Sequence, residues 1–155
     1  MDADDSETMS EYPKPAPRIT REEALKIADD EFSLLMRAYH ASEDGLVRCC
    51  TCGELMEWYG TGVAQWGHYM KRQYMWTRWD VTNGGVQCEG CNVYGDGVPE
   101  AMRACLVARF GEADVERLET EHKRLLQVNV FDILELSKSF KEKRMEIVRE
   151  KKLVL

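Results

Sequence analysis

No stretch of this chain approaches the roughly 18 consecutive apolar residues that a membrane-crossing helix needs, so no membrane partner is expected. Its first residues, Met1 to Glu11, contain no Lys or Arg and no apolar run, and no secretory leader is read there. The cytoplasm is therefore the expected compartment, where thiols stay reduced. There, the six cysteines are better read as metal ligands or free thiols than as disulfides. A surplus of positive charge is also missing. The formal net charge is -7, which at first argues against a nucleic-acid partner. There are no internal repeats, and the 155 residues suffice for one domain but not comfortably for two.

The negative charge is unevenly placed. Asp2, Asp4, Asp5, Glu7 and Glu11 leave 23 acidic against 21 basic residues in the rest of the chain, which is close to neutral. Residues 1–18 read as a disordered acidic tail ending in Pro13, Pro15 and Pro17. A segment over 19–45 reads as the N-terminal helix. Thr20 and Glu23 form a capping-box pattern, and Ala24, Leu25, Ala28, Phe32, Leu35, Met36 and Tyr39 follow at helical spacing over about 21–40. Packing is the role expected of that helix, and Glu43-Asp44-Gly45 closes it as a turn.

Between 46 and 95 glycine is frequent and helical periodicity disappears, which predicts short strands and loops. Pro99 suits a first helical turn, and Met102, Leu106 and Phe110 make an apolar stripe up to Gly111. The remainder, 112–155, reads as C-terminal helices. Val115, Leu118, His122 and Leu125 mark one, Val128-Asn129-Val130 a break, and Ile133, Leu134, Leu136, Phe140, Ile147 and Val148 another running to about 150. Lys138 to Lys152 is locally basic, either a solvated face or a source of phosphate contacts.

Cys49-x-x-Cys52 and Cys88-x-x-Cys91 carry the clearest chemistry. Each pair puts two thiolates on one tight turn, and two such turns supply the tetrahedral sulfur set of a structural Zn2+. With four protein ligands no position is open, so that ion is expected to hold the fold and not to catalyse. A redox CxxC would not need two copies. Cys50 is out of phase with its turn and Cys105 falls inside a helix; both read as free thiols.

Three polar residues stand out between and beside the pairs: His68, Asn83 and Asn92. An imidazole titrates near neutrality, so His68 could take a proton from an attacking water. Asn83 could fix the tautomer of His68 by a hydrogen bond. Asn92 could offer a carbonyl oxygen to a hard cation such as Mg2+ or Mn2+, which would stabilise a pentacovalent phosphate. Each also has a bland reading: a packed histidine, a turn asparagine beside Gly84, and a cap after a knuckle.

On these residues the chain resembles the HNH (ββα-metal) endonucleases, and within them the NinG/Rap recombination endonucleases of lambda-like bacteriophages. The match runs through Cys49-x-x-Cys52-Gly53, Gly67-His68-Tyr69, Arg72, Arg78-Trp79-Asp80-x-x-Asn83 and Gln87-Cys88-x-x-Cys91-Asn92, with supporting flanks over roughly 22–148. The resemblance implies an α+β fold: a zinc-stabilised ββα-metal core over 46–111 with flanking α-helices. It also implies a nuclease acting on branched DNA such as displacement loops and Holliday junctions, in a bacterial host cell.

By position, His68 would be the general base, Asn83 the orienting residue and Asn92 a ligand of the catalytic metal. Many relatives carry a further metal ligand where this chain has Gly67. Asp80 is the expected substitute, unless it pairs with Arg78 or Arg72. Lys71, Arg72 and Arg78 are the expected DNA-binding cations. Trp66, Tyr69, Tyr74, Trp76 and Trp79 would either stack on exposed bases or fill the core. The near two-fold symmetry of a junction is compatible with a homodimer, which the sequence itself does not show.

Overall fold

Thr20 opens the first helix, α1 (Arg21–His40). Its hydroxyl accepts from the Glu23 N–H, and the Glu23 carboxylate accepts from the Thr20 N–H at 2.8 Å, satisfying two otherwise orphan donors. Both helix ends lie where the capping box and the apolar spacing put them. The computed structural model describes residues 18–60 and 64–155, so the acidic tail expected over 1–18 lies, apart from Arg18, outside the described residues. At the far end of α1, Lys151 Nζ donates to the carbonyls of Ala38, Tyr39 and Ala41 at 3.1, 2.5 and 2.8 Å. A helix C-terminus leaves such carbonyls free and favours a cation there.

The turn at Asp44-Gly45 leads into β1 (Leu46–Arg48), which pairs antiparallel with β2 (Leu55–Glu57), Val47 opposite Met56. β3 (Ala64–His68) pairs antiparallel with β4 (Gly84–Cys88), with His68 opposite Gly84. A π-helical turn, Gly90–Tyr94, follows, then α2 (Pro99–Phe110). Proline stands in the first turn of α2, and Gly111 ends it with φ of 90°.

Two helices complete the chain, α3 (Glu112–Glu121) and α4 (Val130–Lys151). The expected break between them is real: Asn129 caps α4 by accepting from the Asp132 N–H at 2.8 Å. The expectation that α3 reaches Leu125 is corrected. The helix stops at Glu121, His122 Nδ1 binds the Glu119 carbonyl, and Leu125 is 96% exposed. With nothing to pack against, the apolar spacing at Leu125 has no structural effect.

The fold is mixed α+β. Two-stranded hairpins are marginal alone, and here helices cover them. Phe32 of α1 packs edge-on against Trp66 of β3 and Phe140 of α4, with ring centroids 5.6 and 5.2 Å away. Arg144 of α4 is buried and holds Glu31 of α1 at 3.0 Å. Two of the seven cations in Lys138 to Lys152, Arg144 and Lys151, are therefore engaged inside the fold. A second cluster packs Met102, Leu106 and Val115 against Cys50 and Tyr69. Among the described residues, no helix is long and apolar enough to cross a membrane.

Candidate functional site

Cys49 directly follows β1, and Cys52 sits in the turn after it. The Gly53 N–H donates to the Cys49 carbonyl at 2.9 Å, and the φ of 82° at Gly53 is one a side chain would resist. Cys88 ends β4 and Cys91 lies in the π-helical turn. The four ligand sulfurs lie within 4.8 Å of one another, with Cys52 and Cys88 3.7 Å apart. A tetrahedron with metal–sulfur bonds of about 2.3 Å needs sulfurs about 3.8 Å apart. The four cysteines can therefore hold one ion such as zinc.

Burial works against the Cys49 thiolate, but hydrogen bonds from the Thr51 hydroxyl and from nearby backbone N–H groups outweigh it and bring this thiol down to about 6. Cys50 points the other way, with its sulfur 3.7 Å from Met102 Sδ, and Cys105 lies on the same side; neither is in a disulfide.

The residues between the knuckles build a second site. Residues 69–83 form an irregular loop joining β3 to β4. Asn83 is fully buried and clasps this loop: its Oδ1 accepts from the Met70 N–H at 2.7 Å, and its Nδ2 donates to the carbonyls of Met70 and Thr77 at 3.0 and 2.9 Å. The expected direct bond from Asn83 to His68 is not made, because all of the amide is engaged in the loop. His68 Nε2 instead meets the carbonyl of Arg78, within that loop, at 2.8 Å. A carbonyl only accepts, so Nε2 carries the proton, and Nδ1 holds the lone pair of the neutral ring. Burial foremost, with Arg72 and Arg78 nearby, lowers the pKa of His68 against the opposing pull of the Arg78 carbonyl and of Asp29, so the neutral ring is favoured.

His68 and Asn92 line one cleft of about 290 Å³ together with Gln65, Asp29, Asp30, Ser33, Arg37 and Arg72. Asn92 Nδ2 donates to Gln65 Oε1 at 2.7 Å, which leaves Asn92 Oδ1 as the free acceptor. A Cβ at position 67 would collide with Gln87 Oε1 and approach Asn92 Oδ1 to 3.2 Å, so a side chain there would have to displace the buried Gln87 side chain. The structure does not bring Asp80 into the cleft. Its Oδ1 accepts from the Thr82 N–H and hydroxyl at 2.9 and 2.6 Å, and its Oδ2 faces Arg117 at 3.9 Å. That pairing replaces both the expected metal contact and the expected partners Arg78 and Arg72.

Of the expected DNA cations, Lys71 and Arg72 are exposed. Arg78 is not: its side chain is 12% exposed and forks onto Asp29, with Nε to Oδ1 at 2.9 Å and Nη2 to Oδ2 at 2.6 Å. The aromatics divide. Trp66 is buried; Trp79 packs on Phe140 and donates to Asp29; Tyr69 donates to Glu119 at 2.6 Å. Tyr74 lies edge-on to His122, and Trp76 stacks under Arg124 with the guanidinium 4.2 Å from the ring.

The reading of α1 as packing alone is incomplete. Asp29, Ser33 and Arg37 recur every fourth residue beside the buried Ala28-Phe32-Leu35 row, and this stripe forms one wall of the cleft. A polar stripe bordering an apolar one was the available signal.

Two comparisons with known proteins bear on the chain. The family described as Bacteriophage Lambda NinG protein matches residues 17–150. The protein ninG of Salmonella phage P22 is 33% identical over 92 residues, which cover 57% of this chain and 42% of that relative's length. The chain thus spans less than half the length of the curated relative it matches. No solved structure matches it.

Proposed function

The chain belongs to the Bacteriophage Lambda NinG family; from that premise and the chemistry of the cleft, we propose that it is a zinc-stabilised, divalent-metal-dependent DNA endonuclease of the HNH type. Its substrates are branched recombination intermediates, displacement loops and Holliday junctions, in the cytoplasm of a bacterial host. The observation that carries this reading is the His68 Nε2–H bond to the Arg78 carbonyl at 2.8 Å. It commits one ring nitrogen as donor and leaves Nδ1 as a base, beside an amide oxygen suited to a hard cation. The order β3, loop, β4, helical turn agrees with a ββα-metal core, and the four cysteines hold a structural zinc at its edge.

In this reading His68 Nδ1 removes the proton from a water aimed at the phosphorus. Asn83 keeps the loop, and so the Arg78 carbonyl, in place. Asn92 Oδ1 would be the main protein ligand of Mg2+ or Mn2+; Asp30, on the α1 wall, is an exposed carboxylate lining the same cleft and pairs with Lys26 at 2.6 Å. Such an ion keeps several waters and needs few protein oxygens. When bound, it would supply positive charge beside the phosphate and the leaving oxygen. Arg72 and Lys71 meet phosphates, and Trp76 and Tyr74 stack on unpaired bases.

The test is a cleavage assay on junction, flap, displacement-loop and plain duplex DNA with Mg2+ or Mn2+. His68→Ala is expected to lose about 100-fold or more of the cleavage rate while keeping zinc content and DNA binding. Unchanged cleavage by that variant removes His68 as the base. Absence of cleavage by the wild type with either metal favours a zinc module that recognises DNA or a protein without cutting.

A further inference from the structure

We infer that Asp29 is the positioning residue of this site, acting on His68 through the peptide that joins Arg78 to Trp79. The inference rests on the reading of His68 as the base. The carbonyl that receives His68 Nε2–H belongs to the Arg78–Trp79 peptide unit. Side chains at both ends of that unit bind one carboxylate. Arg78 gives Asp29 two hydrogen bonds, at 2.9 and 2.6 Å, and Trp79 Nε1 gives it a third at 2.9 Å. Arg78 Nη1 also donates to the Arg72 carbonyl at 2.8 Å, which ties the guanidinium back to its own loop.

The loop has no regular secondary structure to fix the tilt of a single peptide plane. Asn83 secures it from within, at Met70 and Thr77, but makes no bond to residue 78 or 79. Asp29 grips it from outside. Its side chain is 12% exposed, and it stands in a helix packed along α4, so its own position is set by the core. Charge-assisted, bidentate bonds of this kind are directional as well as strong. Rotation of the 78–79 peptide would have to break them.

Without this grip the Arg78 carbonyl can turn away, and His68 is then free to place its proton on either nitrogen. The fraction of molecules with Nδ1 as the base falls. Arg72, whose Nη1 lies 3.8 Å from Asp29 Oδ2, also loses a charged neighbour when Asp29 is replaced, but keeps it when Arg78 is. The charged groups facing His68 are Asp29 itself, Arg72 and Arg78, with Asp30 and Arg37 on the α1 wall of the cleft.

The experiment follows the His68 ring by nitrogen-15 correlation NMR in the zinc-loaded full chain, for wild type, Asp29→Asn, Asp29→Glu and Arg78→Lys. Wild type is expected to show a single tautomer with the proton on Nε2. Asp29→Asn, and Arg78→Lys, which loses the planar fork, are expected to show mixed tautomers and a kcat lower by about tenfold, with KM for DNA little changed in Arg78→Lys, where the Arg72–Asp29 pair is kept. Asp29→Glu is expected to recover part of both. If Asp29→Asn does not fold, as judged by zinc content and circular dichroism, Arg78→Lys decides. A wild-type tautomer in folded variants overturns the inference, as does a fall in stability alone. Wild-type protein that does not cleave DNA defeats the nuclease reading instead, and the tautomer comparison still decides the role of Asp29.

Discussion

Asn83 is adjacent to Gly84 in the chain, and locally it reads as an ordinary turn residue. In the fold it acts as a clasp, fully buried and joining the two sides of the 69–83 loop with three hydrogen bonds. Asn83→Ala leaves the buried Thr77 carbonyl and the half-buried Met70 N–H and carbonyl without their partner. Each such group costs about 1–3 kcal/mol, though some relaxation is expected, so the variant should lose about 3 kcal/mol of stability. A urea titration checks this: the midpoint should fall with little change in slope. A loss below about 0.5 kcal/mol would mean that the clasp is not needed. Residue types and spacing marked His68, Asn83, Asn92 and the four cysteines, because each has chemistry visible in one dimension. Asp29 was not legible. Its partners Arg78 and Trp79 stand 49 and 50 residues away, and the polar stripe it shares with Ser33 and Arg37 marks a helix edge without singling out its role. Asp80 shows the reverse failure. Proximity to Asn83 in sequence suggested a shared ion, but a carboxylate two residues before Thr82 finds its nearest donors in its own turn.

At the level of elements, boundaries were legible wherever capping chemistry announces them. Thr20 with Glu23, Pro99, Gly111 and Asn129 all mark real ends. The end of α3 carries no such signal, and apolar spacing alone overextended it. The last turn of α1 also carries a pH prediction. His40 sits there, stacked on Trp66 with planes 15° apart. A helix C-terminus favours a protonated imidazole, but burial, and then Arg109 and Lys151, outweigh that and hold His40 down at about 4. An unfolded chain takes up this proton near 6.5. Between about 6.5 and 4 the unfolded state therefore binds a proton that the fold refuses. Stability from this source is full above about 6.5 and declines as pH falls towards 4. The lowered His68 adds a decline of the same sign. Urea midpoints from neutral to acid pH should fall less steeply for His40→Gln than for wild type. Equal slopes would mean that His40 is protonated in the fold.

At the scale of the whole molecule, the four clustered cysteines can tie the two hairpins together through one ion such as zinc. Its hairpins have two strands each, and the cleft lies between a helix and one of them. If the proposed function holds, removing zinc with a chelator should unfold the 46–95 region and abolish cleavage together. Adding back Mg2+ alone should restore neither, whereas zinc followed by Mg2+ should restore both. Near-ultraviolet circular dichroism checks the first part, and a zinc-free protein that keeps its native spectrum would contradict it. The near-neutral charge beyond the acidic tail is also a whole-chain property. For the proposed DNA partner, it predicts few phosphate contacts and a shallow dependence of affinity on salt.

An ion held by both Cys52 and Cys88 would bridge a separation of 36 residues. A crosslink at that separation removes about 4 kcal/mol of chain entropy from the unfolded state in the simple loop-closure account. That quantity depends only logarithmically on loop length, so doubling the spanned segment changes it by about 0.6 kcal/mol. The closure term itself therefore barely resists a change of length between the knuckles; what resists it is the paired β3–β4 hairpin and the buried Trp66 and Asn83, so room for it lies in the exposed turns. Natural variation has room to reshape the surface that faces a substrate while the closure point stays the same.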